Sequence, residues 1–193
     1  SNSEFITRGD EIVSRYGSGK QSQQITIREK SANKRGIQQK IFLVDPKDEF
    51  DFSIITKGEN QKIFIEIDEI KFSFFSKKNW KKFSKKIKFK NFKSNKKISI
   101  SIKSGNIYIA NCSLMPKNTI YGFRKDITEM IKEWTPSYIR WPGGNFLSGY
   151  NWQNGIGSKD VRLPYYDHAW YQWEDNDVGT DEFMKWCEYI GSE

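Results

Sequence analysis

Apolar and polar residues alternate in short bursts through the first 115 residues. Ile25-Thr26-Ile27 is one burst, and Ile63, Ile65 and Ile67 with Glu66 and Asp68 among them form another. Ile98, Ile100 and Ile102 alternate with Ser99 and Ser101. A period of two places successive side chains on opposite faces, which predicts half-buried strands. Ile107 and Ile109 follow Lys103-Ser104-Gly105-Asn106, a turn composition that predicts a hairpin. Residues 41–44 and 50–55 add two more apolar runs, and no helical period competes. About seven short strands at this spacing read as an antiparallel sandwich.

The period changes after Pro116. Ile127, Met130, Ile131 and Trp134 fall at i, i+3, i+4 and i+7, the stripe of a helix over 124–134. Thr135-Pro136 ends it, because the residue before proline avoids the helical region. Residues 137–141 read as a short strand, stopped by Pro142-Gly143-Gly144. A second stripe, Phe183, Trp186, Cys187 and Ile190, predicts a helix with Thr180 as N-cap, Asp181 and Glu182 in its first turn, and Gly191 at its C-terminus. Cys187 therefore reads as a small core residue. The order helix, strand, long loop, helix is that of an α/β fold, in which chemistry sits on the loops after strands.

Charge divides the chain at the same place. Residues 1–115 carry 24 Lys and Arg against 12 Asp and Glu, whereas residues 116–193 carry 8 against 12. Of the seven tryptophans only Trp80 lies in the first part. Two units meeting near Met115-Pro116 follow, 1–115 and 116–193. Residues 71–97 hold 12 lysines and no acid, interleaved with Phe72, Phe74, Phe75, Trp80, Phe83, Phe89 and Phe92. Such a segment reads either as a nucleic-acid surface or as strands with a lysine-coated outer face. The alternation in Ile87-Lys88-Phe89-Lys90, and the scarcity of Arg forks, favour the coated sheet.

Composition excludes several classes. The apolar fraction of 36% and the two cysteines, Cys112 and Cys187, fit neither a collagen nor a disulfide scaffold nor a zinc site. No run approaches the roughly 18 apolar residues of a membrane span. Residues 1–5 lack the build of a signal peptide, and the absence of an initiator Met reads as a processed or truncated chain.

The connection over 145–179 is about 35 residues long, far beyond the usual loop. It carries Asn145, Tyr150, Asn151, Trp152, Asn154, Tyr165, Tyr166, Asp167, His168, Trp170 and Trp173. Flat rings and amides suit sugar recognition. The same composition also suits a loop packed by its own aromatics. The single His168 reads as a hydrogen-bonding loop residue, with no second metal ligand arranged near it.

Several motifs in order resemble a known family. Arg140-Trp141-Pro142-Gly143-Gly144-Asn145-Phe146, Gly149-Tyr150-Asn151-Trp152, Gly155-Ile156-Gly157, Arg162, His168-Ala169-Trp170, Asn176-Asp177, Gly179-Thr180-Asp181-Glu182-Phe183 and Trp186-Cys187 resemble the α-L-arabinofuranosidases of glycoside hydrolase family fifty-one. The resemblance covers residues 118–193. Gly19-Lys20-Gln21-Ser22 with Gln24-Ile25, and residues 109–116, resemble the carbohydrate-binding-type jelly roll inserted in some members.

The resemblance implies a β-sandwich jelly roll over 1–115, followed by the start of a (β/α)8 TIM barrel over 116–193. The helix over 124–134 becomes the first barrel helix and 138–141 the second strand. The implied activity is retaining hydrolysis of terminal α-L-arabinofuranosyl groups of arabinan or arabinoxylan, with one Glu as acid/base and another as nucleophile. Both would lie downstream of Glu193, so the resemblance assigns no catalytic residue here. Glu174 and Asp175 match no catalytic motif.

Arg140 and Asn145 match residues of the arabinose subsite, and Trp170 matches a loop tryptophan on the leaving-group side. No cofactor and no metal are implied. The implied partner is an arabinose-containing polysaccharide or oligosaccharide, with no nucleic acid and no membrane. The full-length enzyme is expected to be homo-oligomeric. An inserted binding module points to an extracellular or periplasmic setting. These 193 residues alone are expected to be inactive, and the two helical stripes are expected to lack most of their packing partners. Two rivals are a free-standing carbohydrate-binding module with a remnant tail, and a basic nucleic-acid binder.

Overall fold

Residues that alternate in sequence alternate in burial. The computed structural model describes residues 3–8, 22–28, 32–162 and 164–193, with the backbone alone for 3–8 and 161. Of the jelly-roll motif, Gly19, Lys20 and Gln21 lie outside the described residues. The chain divides into two units, one ending at Lys117 and the other running from Asn118 to Glu193.

Among the described residues the first unit contains nine strands: β1 (Ser3–Arg8), β2 (Ser22–Ile27), β3 (Arg35–Phe42), β4 (Glu49–Lys57), β5 (Lys62–Ile67), β6 (Ile70–Phe75), β7 (Lys81–Lys88), β8 (Asn95–Ile102) and β9 (Gly105–Pro116). They form two antiparallel sheets, ordered β1-β2-β9-β4-β7 and β3-β8-β5-β6. Ile25, Phe52, Ile54, Ile63, Ile65, Ile67 and Ile107 contribute to one buried cluster. Each such side chain gains about 1.5–3 kcal/mol from leaving water. The register of β4 against β9 shifts between Ser53 and Ile55. Asn111, at φ 44°, sits within that bulge, a conformation asparagine tolerates.

The expected hairpin over 98–109 is corrected. β8 pairs with β3 and β5, whereas β9 pairs with β2 and β4. Lys103 and Ser104 therefore carry the chain from one sheet to the other. Gly105, at φ 85°, adopts a backbone that L side chains rarely take, and this permits the tight crossing.

The lysine-rich segment folds as β6 and β7 with mostly exposed lysines. Four of its rings turn inward, Phe72, Phe74, Phe83 and Phe89, whereas Phe75 and Phe92 stay exposed: Phe74 stacks on Phe83 at 4.2 Å, and Phe72 meets Phe52 edge-on at 5.5 Å. Lys96 departs from the coated-face reading, because its side chain is fully buried. Its ammonium donates to Asn91 O at 2.6 Å, lies 3.5 Å from Asp68 Oδ2, and sits over the Phe89 ring at 4.6 Å. Asp68 and Glu69 also accept backbone N–H groups of Lys97, Lys90 and Asn91. The β5–β6 turn thus holds the 90–97 segment in place.

The second unit opens with β10 (Thr119–Ile120) and β11 (Phe123–Arg124), an antiparallel pair. Tyr121 and Gly122 between them both have positive φ, the geometry of a two-residue hairpin turn. Next come α1 (Lys125–Trp134), β12 (Tyr165–Asp167), β13 (Gln172–Glu174) and α2 (Thr180–Ile190). Phe183, Trp186, Cys187 and Ile190 are buried, and Ile120, Phe123, Ile131, Ile139 and Trp141 pack against them. Gly191 ends α2 in the left-handed conformation as expected.

Three expectations change here. Gly179, not Thr180, is the N-cap of α2, and its N–H donates to Glu182 Oε2 at 2.9 Å. Residues 137–141 form no ladder strand; Ile139 N–H donates to Glu193 O at 2.8 Å and Glu193 N–H to Ser137 O at 3.1 Å. Only one of the two helical stripes is buried. On α1, Thr128 and Ile131 face the core, while Ile127, Met130 and Trp134 stay exposed. Thr128 anchors that contact: its hydroxyl donates to Arg124 O at 2.8 Å and accepts from Trp186 Nε1 at 2.9 Å. No helix among the described residues is long and apolar enough to cross a membrane.

Candidate functional site

The long connection between 141 and α2 is built, not loose. It winds through three 3-10 turns, Gly144–Ser148, Trp152–Gly155 and Lys159–Val161, and then the β12–β13 hairpin. Two features tie it to α2. Gly155 and Gly179 approach so closely that a Cβ on Gly179 would stand 1.7 Å from Gly155 O, so no larger residue fits at 179 without a shift of the backbone. Arg162 is buried and donates to both Glu182 oxygens, at 2.9 and 2.7 Å, to Gly157 O at 2.8 Å and to Asn176 O at 2.9 Å. Burial pushes the Glu182 carboxyl up, but hydrogen bonds from Arg162 and the Gly179 N–H, with the Arg162 charge, overcome this and hold it at about 2.

The aromatics of this connection divide into two sets. Trp141, Phe146, Tyr150 and Tyr165 turn inward: Trp141 stacks on Phe183 at 5.1 Å and meets Tyr150 edge-on at 5.1 Å, and Phe146 lies 5.2 Å from Tyr150. Trp152, Trp170, Tyr171 and Trp173 are exposed. The packing reading and the recognition reading of the loop therefore each apply to a different set of rings.

Arg140 and Asn145 stand on one turn, around the cis Trp141–Pro142 bond and Gly143-Gly144, and both are exposed. Arg140 lies against Gly143: a Cβ there would sit 3.5 Å from the guanidinium, so glycine leaves the fork room over the backbone. Trp170 belongs to a different element, the turn of the β12–β13 hairpin, and the residue is 63% exposed. Asp167 Oδ1 accepts the N–H groups of Ala169 at 2.8 Å and Trp170 at 3.3 Å, which fixes the backbone beneath that ring. His168 is exposed and meets Tyr166 edge-on at 5.1 Å.

Glu174 is half-buried, and burial followed by the nearby Asp175, Asp177 and Asp167 raises its carboxyl, although it accepts from Asn176 N–H at 3.0 Å. The Tyr165 hydroxyl, buried beside Asp167 and Glu174, is pushed up to about 12. Sequence reasoning missed this polar layer and the Arg162–Glu182 pair. Polar residues spaced irregularly through a loop carry no periodic signal. Among the described residues, no group of three or more His, Cys, Asp and Glu side chains is placed to hold a metal ion.

Residues 130–193 match the family model described as "Alpha-L-arabinofuranosidase 1 domain". The chain is 47% identical over 89 residues to a "Probable alpha-L-arabinofuranosidase C" of Aspergillus clavatus, covering 46% of this chain and 17% of that protein. It is 50% identical over 72 residues to an "Intracellular exo-alpha-(1->5)-L-arabinofuranosidase 1" of Bacillus subtilis, covering 37% of this chain and 14% of that one. A solved α-L-arabinofuranosidase from Thermotoga maritima, in complex with arabinose, shares 52% identity over 38% of this chain and 15% of its own, with a TM-score of 0.37. The chain thus spans less than a fifth of the length of these relatives. The arabinofuranosidase resemblance is borne out over the stretch that the family model covers.

Proposed function

We propose that this chain contributes part of the substrate site of an α-L-arabinofuranosidase, a retaining glycoside hydrolase acting on terminal α-L-arabinofuranosyl groups of arabinan- or arabinoxylan-type polysaccharides. The observation that carries the reading is the family match over 130–193, which contains Arg140, Asn145 and Trp170. Residues 1–115 are read as a carbohydrate-binding-like sandwich and 116–193 as the opening part of a (β/α)8 barrel. The bonds linking Ser137 and Ile139 to Glu193 support the barrel reading, because a residue that accepts from and donates to two residues flanking one position makes the pattern of a parallel pair. With α2 between them, the two segments have the order of a strand–helix–strand unit, and the turn after the first segment falls where such folds place their chemistry.

Each residue has a role that follows from its chemistry. Arg140 presents a planar fork of donors to sugar hydroxyls. Asn145 offers both a donor and an acceptor. Trp170 supplies an exposed face that covers the sugar at the leaving-group side. Retention requires two carboxyl groups about 5–5.5 Å apart, one to protonate the departing oxygen and one to attack the anomeric carbon. Glu174 is assigned neither role: it closes a turn onto Asn176 N–H and belongs to the polar layer beneath the hairpin. The two carboxylates are therefore assigned to sequence outside these 193 residues.

Assaying the purified 193-residue chain on an aryl α-L-arabinofuranoside tests this reading. No release of arabinose above the buffer rate is expected. A full-length enzyme carrying this segment is expected to release α-L-arabinofuranose first, with the β anomer appearing only as mutarotation proceeds, as seen by proton NMR. Turnover by the 193 residues alone, or an inverted first product, would overturn the assignment.

A further inference from the structure

The β-sandwich carries a polar cleft of about 520 Å³, within the range of small-ligand sites. Its walls are Lys57 at the end of β4, Glu59 and Gln61 from the β4–β5 turn, Lys78 and Asn79 from the β6–β7 turn, and Tyr108 with Asn106 on β9. Hydrogen bonds brace the two turns: Gly58 N–H donates to Lys77 O at 2.8 Å, and Gln61 N–H donates to Ser76 Oγ at 2.9 Å. The floor is braced too. Asn106 Oδ1 accepts from Gln24 Nε2 and Thr26 Oγ1, both at 3.1 Å, and Asn106 Nδ2 reaches the Tyr108 hydroxyl at 3.4 Å. Lys57 Nζ stands 5.7 Å from the centre of the Tyr108 ring.

We infer that this cleft binds an acidic sugar, a uronate unit of a polysaccharide chain. An ammonium beside an aromatic ring takes a carboxylate while the ring covers the C–H face of the same sugar. Gln61, Asn79 and the braced Asn106 amide suit its hydroxyls. Two lysines outweigh the one acid, Glu59, and exposed Lys81 at the start of the edge strand β7, opposite Thr56, adds to the positive field beside the Lys78 wall. Single-stranded nucleic acid fits less well. It needs successive exposed rings, and Phe72, Phe74, Phe83 and Phe89 of the lysine-rich segment are packed inward, while the exposed Phe75 and Phe92 are separate single rings outside the cleft lining. The inference stands on the sandwich alone, so its failure leaves the arabinofuranosyl reading of the other unit untouched.

Calorimetric titration of the 193-residue chain tests it, with tetragalacturonate, its methyl ester and a single-stranded oligonucleotide of equal charge as probes. One saturable site for tetragalacturonate is expected. Esterification, Lys57→Gln and Tyr108→Leu should each weaken it about tenfold, the loss of one charge-assisted bond or one ring contact. Lys97→Gln, an exposed lysine on the other sheet, should leave it unchanged. Lys57 is only half-buried, so Lys57→Gln decides the matter even if Tyr108→Leu fails to fold. Equal loss with Lys97→Gln, equal binding of the ester, preference for the oligonucleotide, or no binding would each overturn the inference.

Discussion

Replacing Arg162 by Met removes the guanidinium that holds the 157–177 connection against α2. The side chain is buried and donates to Glu182, Gly157 O and Asn176 O. Its loss leaves the Glu182 carboxylate, 17% exposed, without its cation, and leaves two carbonyls without donors. Breaking one side of a fully buried pair costs about 3–5 kcal/mol; partial access of water to Glu182 reduces this to about 2–4 kcal/mol. For a unit of this size that is a fall in melting temperature of about 10–20 °C. Tryptophan fluorescence isolates the effect, because six of the seven tryptophans lie beyond residue 117, whereas the far-ultraviolet sheet signal follows the sandwich. The wild-type chain also has an acid signature. Glu182 is held at about 2 against an ordinary 4.5, so the unfolded state binds the extra proton between those values. The stability conferred by the pair is full above pH 4.5 and falls as the pH drops toward 2, by about 2–3 kcal/mol. Arg162→Met should remove most of that dependence and leave only the part due to the Gly179 N–H. A fluorescence melt within about 2 °C of wild type, with the acid limb unchanged, would refute the claim that this pair anchors the connection.

Two further outcomes follow from side chains whose roles are structural. Lys96→Ala should destabilise the sandwich by about 2–4 kcal/mol, read from the sheet signal on heating, because it removes the buried stem over Phe89 and the bond to Asn91 O. Asp167→Ala should speed hydrogen exchange at the Ala169 and Trp170 amides while leaving the α2 amides protected, since Oδ1 accepts both N–H groups; equal exchange in the variant would show that the hairpin holds itself.

Much of the fold was legible where one periodic rule decides the outcome. The alternating isoleucines of β5, the stripe from Phe183 to Ile190 and the Gly191 cap each need only local sequence, and each lies where it was expected. What was not legible depends on distant partners. The composition of the Lys103–Asn106 turn says that the chain reverses, not whether it returns to the same sheet, and β9 finds its neighbours 50 or more residues away. Lys96 lies in a lysine-rich stretch that reads as solvent-facing, yet Asp68 and Asn91 give its ammonium a place inside. The α1 stripe has the right period but only Ile131 of its four members meets α2, because Thr128 supplies the contact through Trp186. For the candidate site, the sequence named the rings of the connection, but only the packing of Trp141, Phe146 and Tyr150 around Phe183 shows which of them remain outward.

The measurement that bears most directly on the central claim is the kcat/KM of a full-length enzyme carrying this segment on an aryl α-L-arabinofuranoside, wild type against Arg140→Ala. Arg140 is exposed and packs over Gly143 without holding the core, so the variant should melt like the wild type. Loss of a charged donor to sugar hydroxyls should lower kcat/KM by at least about tenfold and up to about 150-fold. A folded Arg140→Ala protein with kcat/KM within about twofold of wild type would contradict the placement of the arabinofuranosyl site on this turn.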